Sequence, residues 1–132
     1  MKQYMTNAIN SSPTIAVPAA ADMTDIGGKA VKFDASGNCV LCNTAGERVL
    51  GVVTIDNDVE IKKGEQVSVQ IKDMGVVVAG DAVAVGAELA VKNDGTFITA
   101  SAGQYVKAIA KEAAAAAGDV IRVIIVDYIK NS

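Results

Sequence analysis

Residues 28–42 read GKAVKFDASGNCVLC, and residues 86–100 read GAELAVKNDGTFITA. Laid over one another, Gly28 meets Gly86, Val31 meets Leu89, Phe33 meets Val91, Gly37 meets Gly95 and Cys39 meets Phe97. Each copy has a short apolar run, a Gly-marked turn and a second apolar run, which is the pattern of a β-hairpin. Past a one-residue gap, Gly46 and Val49 fall on Gly103 and Val106, and Val52 falls on Ile109. Past a longer gap, Gly64 and Val69 fall on Gly118 and Val123. Two copies are too few for a solenoid. They predict two similar β-meanders, about 27–71 and 85–126, packed into one compact sandwich or barrel.

The repeat also decides residues 105–117, YVKAIAKEAAAAA, which have helical propensity and a Gly118 stop. Their counterpart, RVLGVVT at 48–54, is strand by residue type. Strand is therefore expected through about Lys111, with a turn or a single helical turn at 113–117; a full helix is the alternative. Period two puts Tyr105, Lys107, Ile109 and Lys111 on one face and Val106, Ala108 and Ala110 on the other. Strands are expected near 30–34, 38–43, 47–54, 58–61, 65–72, 76–79, 88–92, 96–100, 104–111 and 119–128.

Composition agrees with an all-β domain. The 132 residues are 51% hydrophobic and 20% charged, which argues against disorder; the length suits one domain with one modest core, or at most two very small domains. There are 22 Ala, 19 Val and 12 Ile, against 3 Leu, 2 Phe and no Trp. β-Branched residues fit a pleated, half-buried surface, and Leu, a better helix former, is scarce.

The same composition narrows the chemistry. The absence of His removes Ser-His-Asp and Cys-His nucleophiles and every His-containing metal site. A net charge of −3 gives no broad cationic footprint for nucleic acid. No apolar run is long enough to span a membrane as a helix, and residues 1–10 lack the apolar stretch of a signal peptide. Cys39 and Cys42 form a C-x-x-C, but in a strand residues three apart face opposite ways. Two free thiols are expected, since zinc would need two further ligands. Asp56, Asp58 and Glu60 alternate as a cation site might, but lack the glycine and distal glutamate of an EF-hand. They read as a solvated acidic turn, as do Asp22 and Asp25. Gly27, Gly28 and Lys29 lack phosphate-loop spacing. No catalytic constellation or cofactor site emerges.

Residues 1–26 differ from the rest. They hold both prolines, Pro13 and Pro18, and read as an extended N-terminal arm leading into a β domain at 27–132. The arm is nearly uncharged and carries Tyr4, Met5, Ile9, Ile15 and Val17. These five are the candidate contacts to a neighbouring subunit or lattice, by addition of a strand to a sheet edge.

Residues 80–100, GDAVAVGAELAVKNDGTFITA, and 103–126, GQYVKAIAKEAAAAAGDVIRVIIV, carry a resemblance. The Gly80-Asp81 start, the Gly95–Phe97 strand entry, the Ala-rich turn, Gly118-Asp119 and the terminal Val/Ile strand resemble the capsid decoration, or cement, proteins of tailed bacteriophages. The resemblance spans about 46–126. It implies a small, all-β, non-catalytic virion protein on the capsid surface, assembled in the bacterial host cytoplasm. It also implies a homo-oligomer, a trimer by preference, that bridges major capsid protein subunits. No cofactor, nucleic acid or membrane partner is expected. The alternative is a β-sandwich binding module of glycan-binding or head-fibre type, for which five aromatics and no Trp are poor material.

Overall fold

The computed structural model describes residues 12–55 and 60–131. Its strands are β1 (Thr14–Pro18), β2 (Met23–Thr24), β3 (Ala30–Phe33), β4 (Cys39–Leu41), β5 (Gly51–Val53) and β6 (Glu60–Ile61). They continue with β7 (Gln66–Gln70), β8 (Met74–Val78), β9 (Glu88–Val91), β10 (Phe97–Thr99), β11 (Tyr105–Ala110) and β12 (Val120–Ile129). No helix occurs among the described residues. The Ala-rich stretch after β11 is a turn, held by reciprocal backbone bonds between Val83 and Ala114, both 3.0 Å.

Two five-stranded antiparallel sheets pack as a sandwich, and β2 and β6 form a small third sheet. One large sheet runs β1-β7-β5-β3-β4 and the other β8-β12-β11-β9-β10. The orders are equivalent strand for strand. The hydrogen bonds repeat as well. Ala19 N donates to Glu65 O and Ala79 N to Asp119 O, both at 2.8 Å. Gly64 N donates to Ala19 O and Gly118 N to Ala79 O, again both at 2.8 Å. A lone parallel bridge, Ala19 to Cys39 in one sheet and Ala79 to Phe97 in the other, ties the last strand back to the first. Each sheet thus curls around its own interior. Gly37 and Gly95 turn the matching hairpins at φ +83 and +82, where a side chain would strain the backbone.

The first unit starts earlier than the sequence reading has it. Residues 14–24 of the stretch read as an arm contain β1 and β2. β1 pairs with β7 from Thr14↔Gln70 to Pro18↔Gln66, as β8 pairs with β12 from Met74↔Ile124 to Val78↔Val120. Residues 14–18 thus form an edge strand of their own chain's sheet. Pro18 ends an edge strand, the position where a missing N–H does least harm.

Small side chains fill both units. Val17, Ala19, Ile26, Val31, Cys39, Val53, Val67 and Val69 pack inside the first. In the second, Val77, Ala79, Leu89, Phe97, Ala110, Ile121 and Val123 stand at the matching places. They share one continuous cluster with Ala30, Cys42, Val49 and Val52 of the first unit. Cys39 and Cys42 thus lie in different clusters, as opposite-facing residues of a strand should. Backbone bonds stitch the units together: Ala30 N to Gly95 O at 2.8 Å, Gly46 N to Val91 O at 2.9 Å, and Val78 N to Gly28 O at 2.9 Å.

Candidate functional site

Where the two units meet, they leave a cleft of about 490 Å³ lined by Lys32, Phe33, Arg48, Val49, Leu50, Lys107 and Asp127. β3 supplies Lys32 and Phe33, and the approach to β5 supplies Arg48, Val49 and Leu50. β12 supplies Asp127. Lys107 comes from β11, at a register shift between Val106 and Ala108. Strict alternation would leave Lys107 on the same outward face as Lys111. The bulge breaks that alternation, and Val106, Lys107 and Ala108 are all buried in succession. This burial has no signal in the sequence, because the register shift depends on pairing with β12.

The charges in the cleft are unevenly satisfied. Lys32 Nζ donates to Glu47 Oε1 at 2.7 Å and to Asn43 Oδ1 at 2.9 Å. Burial alone would raise the Glu47 pKa; the Lys32 ammonium and the N–H groups of Thr44 and Asn43 outweigh it and hold the carboxyl below its ordinary value. Lys107 is only 6% exposed. Burial lowers its pKa and the nearby Arg48 lowers it further, against the opposing pull of Asp127. No ion pair to Lys107 or Arg48 forms among the described residues.

A second feature lies on the outer face of β8 and β12. Met74, Val76, Val120 and Ile124 are exposed there at 53%, 36%, 55% and 46%. Met74 is paired with Ile124 and Val76 with Arg122 across the ladder. The matching face of the first unit carries Thr14, Ala16, Gln66, Ser68 and Gln70 on β1 and β7. One fold therefore tolerates a polar face at this place, and only the second unit makes it apolar. Arg122 crosses the stripe to Glu112, with Nη2 to Oε2 at 3.1 Å.

The contacts expected of the arm divide. Tyr4, Met5 and Ile9 lie outside the described residues. Ile15 is half-buried against the core of its own unit, and Val17 is inside that core at 4% exposure. Val17 is therefore occupied within the chain. Asp56 and Asp58 fall outside the described residues, while Glu60 is exposed on β6. Asp22 Oδ1 accepts the Lys63 N–H at 2.8 Å, so it fastens a turn. Both cysteines are buried thiols, and burial pushes Cys42 up to about 12.

Comparison with known proteins fits this architecture. No curated protein sequence matches the chain. The fold is similar to the crystal structure of the head fibre gp8.5 N base of bacteriophage phi29, with a TM-score of 0.66 at 18% identity. That likeness covers 86% of this chain and 92% of the other. The family model described as phage cement protein matches residues 9–125. The match begins ahead of β1 and runs through both units into β12, so the chain belongs to the phage cement protein family.

Proposed function

We propose that this protein is a non-catalytic structural component of a phage head that decorates the outer capsid surface and bridges major capsid subunits. The observation that carries the reading, given the family, is the difference between the two equivalent outer faces. A fold that keeps Gln66, Ser68 and Gln70 in one unit gains nothing internally from Val120 and Ile124 in the other. Exposed apolar side chains of that kind favour burial against a partner. We assign the β8–β12 stripe to contact with the major capsid protein, with Tyr4, Met5 and Ile9 ahead of β1 as further capsid or subunit contacts. Assembly as a homo-oligomer, a trimer on the resemblance, multiplies weak contacts into firm attachment.

The test is co-sedimentation of the purified chain with empty heads lacking it, followed by heating or osmotic shock of the loaded heads. Saturable binding that raises head survival is the expected result. The fold likeness to a head-fibre base supports a second reading, a binding module displayed on the head. Selective binding on a glycan array without gain in head survival would favour it.

A further inference from the structure

The cleft between the units holds a feature that the fold does not require. Lys107 and Leu50 stand at matching positions of the two units, and both line the cleft. In the first unit, a leucine serves. In the second, Lys107 buries its stem, the residue being 6% exposed, and brings its ammonium to the cleft with no hydrogen bond or ion pair among the described residues. A long stem packed in the interior with its charged head at a water-filled cleft is the snorkelling arrangement of lysine. A leucine or methionine would fill the same space without bringing a charge to the cleft. Asp127, the one carboxylate of the lining, makes no ion pair with Lys107 or Arg48.

We propose that this cleft seats a carboxylate side chain from an acidic peptide segment of the capsid subunit that the protein decorates. The proposal rests on the decoration reading and deepens it by naming the chemistry of the partner. Lys107 supplies a point charge on a buried stem, and the exposed Arg48 supplies a planar fork of donors suited to a carboxylate. Phe33, Val49 and Leu50 offer an apolar wall for the methylene groups of a glutamate. A volume of about 490 Å³ takes one or two side chains. With Lys32 paired to Glu47, the cleft keeps Arg48 and Lys107 against Asp127, an excess of positive charge suited to one anionic group.

The experiment uses the full chain with its lysines carbon-13 labelled, and three proteins: wild type, Lys107→Met and Arg48→Gln. Hexaglutamate peptide should shift the Lys107 resonance of the wild type saturably, and Arg48→Gln should weaken that titration. Lys107→Met keeps the volume of the buried stem, so it should melt within about 3 °C of wild type. It should nonetheless bind empty heads at least about tenfold more weakly. Arg48 is exposed, so Arg48→Gln keeps the test open should Lys107→Met fail to fold; it too should lose head binding. Undiminished head binding by these variants, or no response of Lys107 to hexaglutamate, overturns the proposal. A stronger response to oligothymidylate than to hexaglutamate overturns the choice of a peptide. Wild type that fails to bind heads at all would defeat the decoration reading, while the hexaglutamate titration still decides whether the cleft is a carboxylate site.

Discussion

Cys39 and Phe97 occupy the same place in the two units. Each is fully buried, and each opens its strand. Each also accepts at its carbonyl a backbone N–H from two residues past the edge strand of its sheet, Ala20 N at 3.0 Å after β1 and Gly80 N at 2.7 Å after β8. One backbone frame therefore closes around a thiol in one unit and a phenyl ring in the other. Val31 matched by Leu89 and Val67 matched by Ile121 follow the same trend, while Val53 matched by Ala110 runs the other way. Phe97→Ala should accordingly cost about 3–5 kcal/mol, and Cys39→Ala about 1 kcal/mol. Urea unfolding of the two variants measures the difference; equal losses would show that the units are not filled in this way.

Cys42 gives a pH-dependent prediction. Burial raises its pKa to about 12, the Glu47 carboxylate adds to the rise, and Lys32 opposes it. A thiol whose folded pKa is raised binds its proton more tightly in the native state. Its contribution is intact below the unfolded pKa, near 9.0, and is lost as pH climbs towards the folded value. Stability should fall across that window by about 1.4 kcal/mol per pH unit for this group. Cys42→Ala, which copies Ala100 of the second unit, should flatten the alkaline slope, leaving the smaller contribution of Cys39. Denaturant midpoints between neutral and alkaline pH read this directly.

Gly51 is a packing constraint. A Cβ there would lie 2.2 Å from Gln70 O, a backbone atom that cannot swing aside. Its match in the second unit is Ala108, buried at 0% exposure, so β11 and its neighbours leave room for a methyl where β5 does not. Gly51→Ala should destabilise by about 1–3 kcal/mol through overpacking, although alanine favours most backbones over glycine. Thermal melting of Gly51→Ala beside Ala108→Gly checks both directions.

Much of this architecture is legible in the sequence because turn chemistry is local. Gly37 and Gly95 mark equivalent hairpins, and each fixes the register of the strands beside it. The repeat then settles the Ala-rich stretch against helix. β1 is harder to read. Val17 and Ala19 match Val77 and Ala79, but Pro18 and the polar residues before it mask the strand pattern. Its pairing with β7 spans some fifty residues of sequence, which no local signal reports. The cleft is harder still. Lys107 looks like an outward-facing partner of Lys111, and only the bulge in β11 turns it inward. The apolar stripe is written plainly in Val120 and Ile124, but its significance appears only when the polar face of the matching unit is set beside it.

That comparison supplies its own mutations. Met74→Thr, Val120→Gln and Ile124→Gln each place on the second unit the residue that the first unit carries at the same point. All three side chains are exposed, so their replacement opens no cavity, and surface changes of this kind usually stay within about 0.5 kcal/mol each. Loss of β-branched residues from β12 adds a few tenths more. The triple variant should therefore remain folded, with circular dichroism unchanged and a melting point within a few degrees of wild type. Head binding should fall by about tenfold or more, since the replaced residues remove most of the apolar area available at that face. Analytical ultracentrifugation in the absence of heads separates the two possible occupants. A triple variant that keeps its oligomeric state but releases heads places the stripe against the capsid. One that dissociates places the stripe between copies of the chain. A variant that binds heads and self-associates as the wild type does would show that neither surface is there, and attachment would then fall to the segment before β1 or to the cleft.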